Sequence, residues 1–431
     1  MNTTPLGKKE IYSFAFAGLG QNLIYNFSAT FIMIFYTDVL GLAAISVGTL
    51  MLIARVWDAV NDPMMGIIVD KTKTKWGKLR PYLLGVAIPM AVFTILTFIN
   101  VNLSTQAKLV YAYLTYIGWG MVYTVSDVPY WGLSSAMSDN PKERLTIMTL
   151  ARIMSNVGLA IAIVVPPIAL GLLQNHPQRY AIVATSISVL GAALFLLAFF
   201  NTRERVERPA SVSKLKDFLL LKENKPLLQL QSSRMLGAFR MILGAAGTYF
   251  AKYNLNNEGL FSLLGATLIL SMIFAMILTP FLRKFFSKKA LYQGGLIIQA
   301  FAHLALFMIG YNQLALVLLL MFVVGFSMGL NDVIMYIMVN DSIDFLQRKT
   351  SKRLEGMVFS LHTFTTKLQT AIGLFFMGVV LNVFGFIENV AQTEASMLGI
   401  FLLLTILPAI SSLLSLIPMI KYQEEKELLP Q

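Results

Sequence analysis

Apolar stretches of about 20 residues, the length a helix needs to cross the hydrocarbon core of a bilayer, recur along this chain between short polar segments. They fall at residues 11–36, 44–69, 82–101, 107–137, 147–173, 179–201, 228–253, 258–282, 290–310, 313–345, 355–386 and 396–420. Twelve helical spans are therefore predicted. The polar connections are unevenly basic. Residues 70–81 hold Lys71, Lys73, Lys75, Lys78 and Arg80, and 202–227, 283–289 and 346–354 are also rich in lysine and arginine. The alternate connections offer only Lys108, Arg179 and Lys252. Because basic loops stay on the cytoplasmic side, both termini are expected there, in a multi-pass protein of the cell (plasma or inner) membrane.

Composition narrows the class. Of 431 residues, 56% are hydrophobic and 13% charged, with a mean hydropathy of +0.68, where a soluble chain carries about 25% charged residues. The net charge of +12 follows from topology, since the basic residues sit in alternate loops; nucleic acid is not an expected partner. There are no cysteines, which excludes disulfides and thiolate metal sites. The start, Met1 to Glu10, is polar, and no small-residue cleavage site follows the first apolar run, so that span is expected to be retained.

The polar segment 202–227 divides the spans six and six. Residues 1–201 and 228–431 are expected to form two six-helix bundles, with 202–227 a middle loop whose helix-compatible piece, Lys214 to Leu221, lies on the inner surface. Each half has a short basic loop between its second and third spans: Asp70 to Arg80, and Arg283 to Lys289. Matching placement suggests a parallel repeat about an axis along the membrane normal. An all-α membrane protein with this organisation resembles the major facilitator superfamily fold.

The informative residues are ionisable groups at membrane depth. Asp58 and Asp62 lie four residues apart and so share a helix face, and each charge costs roughly 2.5 kcal/mol or more in mid-bilayer. They suit either a salt bridge to Arg55 or Arg152 or coordination of a cation. In the fourth span, Thr124, Asp127 and Trp131 share one face, with Tyr123 beside them. A carboxylate accepts from vicinal hydroxyls and an indole stacks on a pyranose, a pairing suited to sugar; Trp131 also fits an interfacial aromatic. Thr124 can instead offer its oxygen to a hard cation beside Asp58 and Asp62. Lys367 stands in the eleventh span, where it is expected to approach an aspartate of the other half. His362 and His303 read as packing histidines, and Arg234 and Arg240 are expected to snorkel or gate. Enzymatic motifs are missing: no HExxH pair, GxSxG elbow, Walker loop or helix-opening GxGxxG occurs. No catalytic residue and no cofactor are expected, and transport energy must come from a gradient.

Three motifs then carry a resemblance. The runs Tyr36-Thr37-Asp38-Val39, Ala54-Arg55-Val56-Trp57-Asp58-Ala59-Val60-Asn61-Asp62-Pro63 and Lys75-Trp76-Gly77-Lys78-Leu79-Arg80-Pro81 resemble the glycoside–pentoside–hexuronide:cation symporters. The likeness continues through Trp119 to Trp131 and returns at Asp341-Ser342-Ile343-Asp344-Phe345 and Lys352 to Ser360. It implies that a Na⁺, Li⁺ or H⁺ gradient drives sugar uptake by alternating access. Residue by residue, it implies a cation site at Asp58, Asn61, Asp62 and Thr124, and sugar contacts at Asp127, Trp131, Arg152 and Lys367, with Tyr123 alongside. Tyr336 stands where the family often has tryptophan.

One departure bears on substrate. The family's best-known member has a lysine–aspartate pair in its first helix, including a principal sugar ligand; here the pair is Gln21-Asn22. An amide both donates and accepts, so the pocket still suits hydroxyls with one less negative charge. A pentoside, a xylose-containing disaccharide or a hexuronide fits that loss, the last with Lys367 or Arg152 as carboxylate partner. The expectation is a monomeric symporter importing a small sugar with a cation. Asn61 offers a neutral oxygen that favours Na⁺ over H⁺. A lipid or lysolipid transporter on the same fold is the alternative, and a sensor or intramembrane enzyme a more distant one.

Overall fold

Several spans begin where a polar side chain accepts from an otherwise unpaired helix amide. Ser104 accepts from the amide of Ala107, Asn224 from Leu227, Ser287 from Ala290 and Thr393 from Ser396. The computed structural model describes residues 6–138, 140–206, 215–352 and 354–422. It divides the chain into two compact units, Met1–Ser211 and Val212–Gln431.

The first unit contains α1 (Lys8–Ile34), α2 (Ala44–Lys71), α3 (Arg80–Thr97), α4 (Thr105–Met137), α5 (Pro141–Leu172) and α6 (Arg179–Asn201). Within it α1 packs on α5 and α6, α3 on α4 and α6, and α2 on α4. The contact of α1 with α6 is backbone-close: a Cβ on Gly20 would meet the Gly191 carbonyl oxygen at 2.3 Å. Small residues permit such approach where lipid leaves packing, rather than hydrophobicity, to hold helices together.

Residues 202–206 run beneath this unit and fasten it. The Glu204 carboxylate accepts from the amides of Lys78, Leu79 and Arg80 at 2.9, 2.8 and 3.0 Å, which caps α3. Arg205 and Val206 donate their amides to Ala136 at the end of α4, and the Arg205 guanidinium bonds Glu10 of α1 at 2.8 Å.

The second unit contains α7 (Lys225–Leu236), α8 (Leu243–Tyr249), α9 (Leu260–Leu282), α10 (Lys288–Ile309), α11 (Leu314–Thr350), α12 (Glu355–Val383), α13 (Glu394–Leu404) and α14 (Ile406–Ile420). Its core joins Leu227, Leu230, Tyr292, Leu296, Ile334, Met338, Val358 and Met419.

Two predicted spans differ from the expectation of continuous helices. Residues 228–253 are broken into α7, a 3-10 turn Ala238–Ile242, α8 and a π turn Phe250–Asn254. At the first break Arg240 folds back over Gly237, where a Cβ would meet its Nη2 at 2.1 Å, so a larger residue there would displace the guanidinium. Residues 396–420 are interrupted at Thr405, between α13 and α14. Pro408 lacks the amide that would bond the Leu404 carbonyl, and that carbonyl accepts from His303 Nδ1 at 2.7 Å instead. The helical piece expected at Lys214 to Leu221 is a 3-10 turn, Leu215–Glu223; Lys214 lies outside the described residues. Eight of the described helices are long and apolar enough to cross a membrane by length and composition. The remaining predicted spans fall on α1, α2, α4 and the α7–α8 stretch; α2 carries Arg55, Asp58 and Asp62 in its middle.

Candidate functional site

The first unit gathers most of the singled-out residues where α2 meets α4. Although Asp58 and Asp62 share a face, they take different partners. Asp58, 4% exposed, is ion-paired with Arg55 one turn earlier, and Arg55 also donates from Nη2 to the Tyr116 hydroxyl at 3.1 Å. Asp62 accepts from Thr124 Oγ1 at 2.7 Å across the helix pair. Asn61 has its amide nitrogen buried without a partner. Amide ends are assigned from the surrounding bonds; turned over, this amide presents an unpartnered carbonyl oxygen on α2, one residue before Asp62.

An aromatic wall encloses the Arg55–Asp58 pair. Tyr116, Trp119 and Tyr123 stack along α4 with centroids 5.8 and 5.5 Å apart, and Tyr25 of α1 closes on Tyr123 at 4.8 Å. Trp119 donates to Thr94 at 3.1 Å. Tyr123, placed beside the sugar contacts by the family resemblance, belongs to this wall and is buried. Tyr25, Tyr116 and Trp119 were missed by the sequence reading; the i, i+3, i+7 spacing of Tyr116, Trp119 and Tyr123 was the available signal.

Further along α4 lies a second group, centred on Asp127. Its Oδ1 accepts from Trp131 Nε1 at 3.0 Å and from Gln21 Nε2 at 3.2 Å, and Gln21 also reaches Ser126 Oγ at 3.1 Å. The Arg152 guanidinium of α5 sits 4.4 Å from the Trp131 ring centroid, a cation–π contact that covers one face of the indole. Of the amide pair on α1, Gln21 is thus the one that reaches Asp127. Asn22 donates instead to Gly18 O and Ser155 Oγ, both at 3.0 Å, tying α1 to α5.

In the second unit Lys367 is half-buried on α12 and Tyr336 is 39% exposed on α11. Tyr336 stands edge-on to His362, with centroids 5.2 Å apart. His362 is buried, with Gln231 Nε2 at 3.2 Å from its Nδ1 and Arg234 Nη1 at 3.3 Å from its Nε2. Arg240, expected to snorkel or gate, does not snorkel. It is buried against Gln299 Oε1 (3.5 Å) and Ser415 Oγ (3.2 Å), within the field of Asp332. His303, also buried, is the packing histidine expected. No cluster of three or more His, Cys, Asp or Glu that could hold a metal occurs among the described residues. A hard cation at α2 and α4 would therefore depend on two carboxylates and neutral oxygens.

Among the described residues, helices on all twelve predicted spans, eight of them long and apolar enough to cross a membrane, give this chain the all-helical organisation of the major facilitator fold. A solved bacterial homologue of the human lysosomal transporter Spinster superposes with a TM-score of 0.72, over 97% of this chain and 99% of that one; at 14% identity this speaks to fold alone. A model of the family described as MFS/sugar transport protein matches residues 13–425, and the chain belongs to that family. The uncharacterized symporter YnaJ of Bacillus subtilis (strain 168) is 32% identical over 427 residues, covering 96% of this chain and 92% of its own. The isoprimeverose transporter of Lactiplantibacillus pentosus is 31% identical over 427 residues, covering 97% and 89%. The chain is a transporter and not an enzyme.

Proposed function

We propose that this chain is a monomeric, cation-coupled symporter that carries a small glycoside, pentoside or hexuronide into the cell by alternating access, with both termini in the cytoplasm. The cation, Na⁺ by preference, is bound by Asp58, Asn61, Asp62 and Thr124. The observation that carries this reading is Asp62 held to Thr124 across α2 and α4, one turn from the buried Asp58, with the amide nitrogen of the adjoining Asn61 buried without a partner. A buried amide without a hydrogen bond is costly, and an oxygen-coordinated ion removes the cost. The name of the isoprimeverose transporter supports a sugar as substrate.

The sugar is held by Asp127, Trp131, Gln21 and Arg152, with Asn22 and Tyr123 supporting them from within the helix packing and Lys367 and Tyr336 contributed by the second unit. A cation at Asp58 and Asp62 offsets their charge and draws α2 to α4, which steadies the Asp127 group further along α4. Residues 1–201 and 228–431 act as the two moving bundles, joined by 202–227, and the basic loop 70–81 serves as a latch between states.

The test is glycoside uptake into right-side-out vesicles, with Na⁺ and H⁺ gradients imposed separately. Accumulation is expected under a Na⁺ gradient and is expected to vanish in Asp62→Cys. Cation-independent uptake, or coupling that survives Asp62→Cys, would overturn the assignment.

A further inference from the structure

The second unit holds a cluster that the cation and sugar assignments leave unused. Arg234 and Gln231, one turn apart on α7, both meet His362 of α12. A guanidinium can only donate, so His362 Nε2 accepts from Arg234. The neutral imidazole then carries its proton on Nδ1, and this N–H requires an acceptor. Gln231 Oε1, otherwise buried without a partner, is that acceptor once the amide is turned over. The amide NH₂ of Gln231 is thereby left as a buried donor with nothing to bond. Arg234 Nε is a second such donor, and Arg234 Nη2 makes no hydrogen bond among the described residues.

Every vacant position in this cluster is thus a donor. A sugar hydroxyl both donates and accepts, whereas an oxyanion only accepts and matches the fork of a guanidinium. The charge balance has the same sign. At mid-span in this unit, among the described residues, Arg234, Arg240 and Lys367 stand against one carboxylate, Asp332, which lies in the field of both arginines. The cluster is also reachable: Arg234 is half-buried and Tyr336, edge-on to His362, is 39% exposed. Accessible guanidinium surface at membrane depth faces water rather than lipid.

We propose that Arg234, with Gln231 and neutral His362, forms a subsite for the oxyanion of an acidic glycoside, a carboxylate or a sulfonate on the sugar. This deepens the reading of the chain as a glycoside transporter and rests on it. The test compares initial uptake of methyl glucoside, methyl glucuronide and the corresponding methyl 6-deoxy-6-sulfoglucoside by vesicles under one cation gradient. Wild type is expected to prefer an acidic glycoside to the neutral one, and the better of the two acids identifies the anion. Arg234→Gln is expected to lower that acidic-to-neutral ratio about tenfold or more, the scale of one hydrogen bond to a charged group. Arg234→Lys, which keeps the charge and loses the fork, should fall between, and it carries the test where Arg234→Gln does not reach the membrane. A ratio unchanged in the variants, or a wild type that favours the neutral glycoside, overturns the subsite and leaves glycoside transport standing. No uptake of any of the three overturns both.

Discussion

The polar interiors of the two units are opposites in kind. The first is centred on carboxylates, which only accept, and its donors converge on them: Arg55 on Asp58, Thr124 on Asp62, Gln21 and Trp131 on Asp127. The second is centred on guanidinium groups, which only donate, and those donors end on neutral acceptors such as His362, Gln299 and Ser415. It also leaves Arg234 Nε, Arg240 Nε, Gln299 Nε2 and both polar atoms of the Asn331 amide buried without partners. The two interiors thus differ in the sign of the charge they centre on, negative in the first unit and positive in the second. The sign comes from a handful of side chains, while packing is carried by the apolar remainder.

The largest way to break the comparison is to break packing rather than polarity. Gly20→Val puts a side chain where the Gly191 carbonyl already sits. It should destabilise the first unit by about 3 kcal/mol or more, read as a lowered unfolding temperature in detergent with little folded protein recovered. Next comes Arg240→Leu, which strips half-buried Asp332 of one of its two guanidinium neighbours and leaves Gln299 without its donor. A loss of about 3 kcal/mol is expected, and an unfolding temperature equal to wild type would show that this arginine is dispensable to the unit.

Arg55→Gln sharpens the contrast directly. With its counter-charge gone, the buried Asp58 needs a cation. Na⁺ should raise the unfolding temperature of this variant more than that of wild type, by mass action on the folded state; equal Na⁺ responses would place the cation elsewhere. Tyr116→Phe, which removes one acceptor from Arg55, should cost only about 1 kcal/mol.

The smallest effect is expected at the surface. Glu223 is bonded to Lys349 at 2.7 Å, and that hydrogen-bonded ammonium holds its carboxyl below the usual carboxylate value. A depressed value means the contribution is complete at neutral pH and is lost as pH falls through the folded-state value. Because an exposed pair is screened, that contribution is small, and Glu223→Gln should leave the unfolding temperature unchanged within error at neutral pH as at acid pH.

Much of this was legible in the sequence where one helix supplies both partners. Arg55 with Asp58 and Asp127 with Trp131 are separated by three and four residues, and helix geometry alone brings them together. Thr124 beside Asp62 came from chemistry, since a hydroxyl and a carboxylate both suit a cation. Gln21 on Asp127 and Arg234 on His362 were not legible, because the rotation of each helix about its axis is fixed by its neighbours. The broken spans divide the same way. Pro408 is a local signal for the interruption at Thr405 that the expectation of one continuous span passed over, whereas the break at Gly237 depends on where Arg240 finds its partners, which no local pattern contains. Tyr123, placed alongside the sugar contacts by the resemblance, lies in the aromatic wall and within the field of Asp127.

The fastening made by residues 202–206 has a mechanical consequence. Any tension transmitted along the chain from residue 207 onward enters the first unit through three anchorages at once: the capped start of α3, the end of α4 and the Glu10 of α1. A load shared over three helices turns a bundle as one body, where a load on α6 alone would peel a single helix from its neighbours. Glu204, bonded to three amides, makes the α3 share of that fastening, and Arg205 with Val206 makes the other two.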